Sequence, residues 1–162
     1  MEVRDATAEE IPALAALWFD GWHDSHADIV PLELTQVRTL ESFMRRLQAV
    51  LANIRVVGAE GAPLGFSVLK DDELYQLFVS AEARGSGVAT ALIQDAESRL
   101  AQSGVTTAWL ACAIGNDRAA RFYEKSGWTR VRTQLLELET EKGGFELNIW
   151  RYEKALSVPW PP

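Results

Sequence analysis

Only one cysteine, Cys112, occurs among the 162 residues, so an intramolecular disulfide and a cysteine-based metal site are both excluded. It sits in the apolar run Trp109-Leu110-Ala111-Cys112-Ala113, where it reads as a small buried hydrophobe rather than a nucleophile. Positive charge is in deficit: 16 Lys+Arg against 23 Asp+Glu leave a formal net charge of -7. Binding to duplex DNA or anionic membranes rests on an excess of cations, so neither partner is expected. Long apolar runs are missing as well. The longest segment without a charged residue, Leu100 to Asn116, contains Gln, Ser, Gly, Thr and Asn and is no membrane span. Met1-Glu2-Val3-Arg4-Asp5 carries charge at once and lacks the apolar core of a secretory leader, which sets the expectation of a cytoplasmic protein. There is no internal repeat and no low-complexity block.

What is present fits a globular chain: 48% hydrophobic and 24% charged residues supply enough apolar surface to offset chain entropy. The length allows one core, expected over residues 1–156, followed by a proline-rich tail over 157–162. Trp160 in that tail could dock on the body. Together with the C-terminal strands it could also pair with a second copy, so a homodimer is one expected state.

The hydrophobic period changes along the chain. Thr7-x-x-Glu10 has the spacing of a capping box, and Ile11, Leu14, Leu17 and Trp18 follow at helical intervals. Leu40, Phe43, Met44, Leu47, Val50 and Leu51 form a second apolar stripe. Ile54–Ala59 and Leu64–Leu69 read as strands joined by a turn at Glu60–Pro63, and Glu73–Ser80 as a third strand after Asp71-Asp72. A helix opening at Val88 buries Leu92, Ala96 and Leu100 and stops at Gly104. A strand from Thr106 to Ala113, a short helix from Asn116 to Ser126 and two strands across Lys142-Gly143-Gly144 complete the order βααβββαβαββ. Helices interrupting a mixed, mostly antiparallel sheet predict an α+β sandwich.

Two segments carry chemistry. Arg84-Gly85-Ser86-Gly87-Val88-Ala89 lies between a strand and a helix, where backbone N–H groups lack internal partners and the helix dipole favours an anion. Gly85 and Gly87 keep side chains out of a ligand's way. The same pattern can be only a tight turn. It is not a Walker loop, and the hairpins upstream argue against a dinucleotide fold. In the second segment Asn116 is a good N-cap. Asn116 and Tyr123 stand two turns apart on one helical face, with Ala119 and Phe122 beside them. Tyr123 read alone is a core aromatic with a wet tip.

Taken together, Arg84-x-x-Gly87-x-Ala89 and Asn116…Ala119…Phe122-Tyr123-Glu124-Lys125-x-Gly127-Trp128, each after a strand, resemble the GNAT superfamily of acyl-CoA-dependent N-acetyltransferases. The element order resembles that family over nearly the whole chain; the motifs cover residues 73 to 128. The resemblance implies the GNAT-like acyl-CoA N-acyltransferase fold, acetyl-CoA as co-substrate, no metal, and a small-molecule or peptide amine as acceptor. It implies that the backbone of Leu77, Phe78 and Val79 bonds the pantetheine arm. Arg84, Gly85, Ser86, Gly87, Val88, Ala89 and Thr90 would wrap the pyrophosphate, Asn116 would touch the cofactor arm, and Tyr123 would stand near the sulfur as acid. A free N–H near Phe78 or Val79 is the natural donor to the oxyanion. An acyl-CoA-binding module without turnover, or a protein holding another phosphate ligand on the Gly-rich loop, would use the same features.

Deprotonating the amine needs a base. Glu73 stands six residues before Val79 and shares its strand face if no bulge intervenes. In the histone-acetyltransferase branch of the superfamily a glutamate at the equivalent offset is the base, and the alternative is a solvated turn residue after Asp71-Asp72. Trp18, Trp22 and His26 align at i, i+4, i+8 if the first helix continues through Gly21. That places Trp22, His23 and His26 as candidates for the acceptor pocket, with either histidine an alternative base. Two histidines without a third ligand do not make a metal site.

Overall fold

A computed structural model describes residues 1–157. One sheet holds seven strands in the order β1-β2-β3-β4-β5-β7-β6: β1 (Arg4–Asp5), β2 (Ile54–Ala59), β3 (Ala62–Lys70), β4 (Glu73–Val79), β5 (Thr107–Ala113), β6 (Thr129–Thr140) and β7 (Gly143–Ala155). Neighbours are antiparallel except β4 and β5. The helices are α1 (Ile11–His26), α2 (Leu32–Val37), α3 (Leu40–Ala49), α4 (Val88–Gln102) and α5 (Asp117–Lys125). The expected order had two helices before the first hairpin; α2 is a third. It has six residues and buries one large side chain, Leu34, too little to show as a stripe. No helix among the described residues is long and apolar enough to cross a membrane. The expectations for Trp160 lie outside the described residues.

Thr7 and Glu10 do open the first helical segment, though through a 3-10 turn, with α1 starting at Ile11 and Pro12 in its first turn. The Glu10 carboxylate accepts from the Thr7 N–H at 3.0 Å and from both terminal nitrogens of Arg4 at 2.7 Å. Helix α1 runs through Gly21, so Trp18 and Trp22 are both buried. Trp18 packs on Phe43 of α3 with ring centroids 4.5 Å apart and on Phe66 of β3 at 5.8 Å. On the other face of the sheet, Val88, Leu92, Ala96 and Leu100 of α4 are each at most 2% exposed. Burial of Val88, Leu92 and Leu100 is worth about 1.5–3 kcal/mol each. Gly65 of β3 admits α4 to the sheet: a Cβ there would meet Val88 Cγ1 at 2.8 Å and the Phe78 carbonyl at 3.0 Å.

The sheet opens in its middle. Strand β4 pairs with β5 only at Glu73↔Trp109, while its pairing to β3 continues to Val79. A bulge explains the divergence. Val68 faces Gln76 and Leu69 faces Leu74, so Tyr75 is an extra residue that bends β4 just past its contact with β5. Beyond it, the Ser80 N–H donates to the Leu64 carbonyl at 2.8 Å. Because antiparallel pairs alternate between bonded and non-bonded, Phe78 is bonded to Phe66 while Leu77 and Val79 turn their N–H and C=O groups toward the open edge. Of the three residues expected to offer backbone there, Leu77 and Val79 do, and Phe78 is spent on β3.

The bulge also shifts the faces. Leu74, Leu77 and Val79 pack toward α4 and α5, Tyr75 and Phe78 toward α1 and α3. Glu73 therefore lies on the face opposite Val79, not on the same one. The no-bulge condition of the sequence reading fails, and the glutamate turns with Tyr75 and Phe78 toward the α1 side.

Candidate active site

Two cavities flank the open edge of β4. The first, of about 480 Å³, runs from Leu77, Phe78 and Val79 past Arg84, Gly85, Gly87, Val88, Ala89 and Thr90 to Asn116 and Tyr123. Every cofactor residue expected from the sequence lines it except Ser86, whose hydroxyl donates back to the Ala83 carbonyl. The loop needs its glycines for conformation, since Gly85 and Gly87 have φ of 78° and 90° and a Cβ at either would meet nothing within 4 Å. Gly87 is the N-cap of α4 and no side chain caps that helix. The first amides of a 15-residue helix are thus left for a ligand, with the positive end of the dipole behind them.

Cations stand beside this loop. Arg84 reaches Asp24 of α1 at 3.0 Å, and Arg118 of α5 reaches the same carboxylate oxygen at 3.5 Å. Hydrogen bonds from Arg84 and then Arg118 hold the Asp24 carboxyl below its ordinary range. Arg118 also lines the cavity and was missed in the sequence. The signal available was its place in the first turn of a helix already marked by Asn116.

The second cavity, of about 330 Å³, opens between α1, β4, β5 and the β6–β7 hairpin. Trp18, Trp22, His26, Glu73, Cys112 and Tyr123 are among its walls. His26 stacks on Trp22 with centroids 5.1 Å apart and planes 6° from parallel. Its Nδ1 lies 3.1 Å from the Trp22 carbonyl and 2.7 Å from Ser25 Oγ. Burial pushes its pKa down to about 4, so it stays neutral at pH 7 and is a weak proton acceptor. His23 lines neither cavity. Its Nε2 is 2.8 Å from the Arg38 carbonyl and its ring lies 4.2 Å from that of Phe19, a tie between α1 and the end of α2.

Glu73 is different. Burial pushes its carboxyl up to about 7, with Asp72 and Asp71 adding to the rise and Lys70 and Arg151 opposing it. That value suits a group that must accept a proton near neutral pH. Tyr123 is 9% exposed, and burial, then the neighbouring Cys112, raise its phenol further, so it stays protonated. Cys112 is itself buried and pushed up to about 12, which keeps it an inert thiol. Arg38, Arg46 and Lys70 also face this cavity. Nothing in the sequence marked them: the contacts of Arg38 with Glu139 and of Arg46 with Tyr75 join segments far apart in the chain.

Leu77, Phe78, Asn116, Ala119 and Tyr123 line both cavities, which therefore meet at one wall. Asn116 caps α5, its side-chain oxygen accepting from the Ala119 N–H at 3.5 Å. No group of three or more metal-ligating side chains occurs among the described residues.

The architecture agrees with that of solved structures. A GCN5-related N-acetyltransferase from Rhodopseudomonas palustris superposes with a TM-score of 0.75 at 22% identity, covering 96% of this chain and 95% of its own. The ribosomal-protein-alanine N-acetyltransferase from Brucella melitensis gives 0.72 at 19% identity, covering 96% and 100%. The PaiA N-acetyltransferase from Thermoplasma acidophilum, solved in complex with coenzyme A, gives 0.65 at 18% identity, covering 95% and 98%. At such identities these likenesses establish the fold. Among curated proteins none matches the chain by sequence. The model of the acetyltransferase (GNAT) family matches residues 14–128, and on that match the chain belongs to the GNAT acetyltransferase family.

Proposed function

We propose that this protein is an acetyl-CoA-dependent N-acetyltransferase that moves the acetyl group to a primary amine by direct attack in a ternary complex. The observation that carries the reading is the shared wall. A groove suited to a pantetheine diphosphate and a separate small pocket touch only where Leu77, Phe78, Asn116, Ala119 and Tyr123 stand, so a donor and an acceptor bound in the two would meet there. Holding them together can contribute about 7–11 kcal/mol.

The residues then divide the work. The uncapped start of α4, with Arg84 and Arg118, binds the diphosphate. Leu77 and Val79 present backbone groups on the open edge of β4 to the pantetheine arm, as an added strand would use them. One of these N–H groups donates to the oxygen that gains charge as the amine adds. Glu73 takes a proton from the amine, directly or through water. Tyr123, kept protonated by its burial, donates a hydrogen bond to the sulfur as it leaves.

The test is release of free CoA from acetyl-CoA across polyamines, amino acids, aminoglycosides and short peptides, with binding of CoA followed by calorimetry. Turnover with at least one amine, cut about 100-fold by Tyr123→Phe, is the expected result. CoA binding without turnover on any amine would make the protein a binding module instead.

A further inference from the structure

Two arginines that line the acceptor cavity, Arg38 and Arg46, have no ion-pair partner among the described residues. Arg38 is 3% exposed, and its recorded side-chain bond runs from Nη1 to the Glu139 carbonyl at 2.7 Å. Arg46 uses Nη2 on the Tyr75 hydroxyl at 2.9 Å and lays its guanidinium 4.4 Å from the centre of the Trp18 ring. The Nε of each is buried without a hydrogen-bond partner. Neither arginine forms an ion pair among the described residues: Glu137 and Glu139 of the hairpin also line the cavity, yet their carboxylates are not paired to these guanidiniums. Arg38 is a buried charge without an ion pair, which is costly, and the half-buried Arg46 beside it adds repulsion. Burial and the nearness of Arg46 together pull the Arg38 pKa down to about 10.

These groups lie outside the wall that the two cavities share. Arg38, Arg46, Trp18 and Tyr75 line the acceptor cavity but not the cofactor groove, whereas Tyr123 and Phe78 line both. A ligand seated here can meet the two guanidiniums and also reach the wall shared with the cofactor groove. At about 330 Å³ the space is at the small end of ligand pockets.

Building on the acetyltransfer reading, we infer that the acceptor is a small amino carboxylate, its anionic end held against Arg38 and Arg46 and its amine directed to Glu73 and the wall at Tyr123. The carboxylate supplies the ion-pair partner that Arg38 and Arg46 do not have among the described residues, and a guanidinium offers it a paired set of N–H donors. The bond formed joins the amine nitrogen to the acetyl carbon, the bond broken is the thioester C–S, and the amine proton passes to Glu73. The carboxylate is bound and unchanged. A peptide N-terminus with no free carboxylate nearby leaves the two cations unanswered.

The experiment compares amino acids with their amides and their decarboxylated amines as acceptors, following CoA release. The best amino acid should exceed its amide by at least about 100-fold in kcat/KM, as sites built around a buried polar group discriminate. Arg46→Gln should shrink that ratio at least about tenfold while leaving the KM for acetyl-CoA unchanged. Arg38 also holds the hairpin, so its substitution is not needed for the test. A second readout avoids turnover: with CoA present, N-acetyl amino acids should raise the Tm and their methyl esters should not. Amides, amines or carboxyl-blocked peptides that serve as well as the free acids would overturn the inference, as would equal Tm shifts from acids and esters. If CoA itself fails to bind in calorimetry, the acetyltransfer reading falls first, and the two failures are told apart.

Discussion

Replacing Glu73 with Gln should make the protein more stable and less active, and the two effects should follow the same carboxyl. Burial raises this group from its ordinary 4.5 to about 7. That displacement corresponds to a penalty of about 3 kcal/mol on the ionised form, an upper bound because the side chain is partly open to the cavity. A carboxyl whose folded value is raised favours folding while protonated. Its contribution is intact below about pH 4.5, declines as pH rises and is fully lost above about pH 7. Glu73→Gln should therefore raise the Tm at pH 8 by up to roughly 6–12 °C for a chain of this size and leave it nearly unchanged at pH 4. In catalysis the sign reverses. Only the ionised group accepts the amine proton, so at pH 6 about a tenth of the wild-type protein is competent, and kcat/KM should rise with an inflection near pH 7. The variant should lose that inflection and about 10²–10⁴-fold of its rate at pH 8. Limbs owed to the amine's own ionisation will appear in both proteins and cancel in the ratio. Scanning calorimetry and CoA release over pH 4–9 measure both sides. An unchanged rate with the pH 7 limb retained would refute Glu73 as the base, and a Tm at pH 8 that does not rise would refute its desolvation.

Three further outcomes follow from the geometry. Asp24→Asn frees Arg84 and Arg118 from a shared exposed carboxylate, so CoA affinity by calorimetry should rise about two- to tenfold, with a steeper salt dependence. Gly87→Val forces a branched side chain to φ near 90° at the head of α4 and should weaken CoA binding at least about tenfold, with a stability loss of about 1–3 kcal/mol. Cys112, buried and pushed up to about 12, should resist iodoacetamide at pH 8 in the native protein and react once it is denatured, as mass spectrometry would read.

The parts of the fold visible in the sequence are those set by local periodicity. The α4 stripe, the two hairpins and the Asn116 cap are consequences of neighbours within a turn or two, and each has its expected bounds within a few residues. Helix α2 escaped because its stability comes from Leu34 docking, not from a repeating pattern. The β4 bulge escaped for a related reason. Tyr75 is an ordinary strand residue, and only its pairing partners reveal the extra position. That single insertion decides which way Glu73 faces. The groove beside Gly85 and Gly87 was legible because a glycine turn and the start of a helix are set by the backbone. The acceptor side was not. Trp22 and His26 were found from helical spacing, but Arg38 becomes a wall only when a strand 101 positions away closes over it.

The long β6–β7 hairpin belongs to one cavity and not the other. It contributes Leu136, Leu138, Leu147 and Ile149 to the acceptor cavity and none of the lining of the cofactor groove. On the proposed function, substitutions there would reshape the pocket assigned to the amine without touching the groove assigned to the donor. On that reading, changes in the hairpin would alter which amines fit and leave binding of the thioester donor as it is.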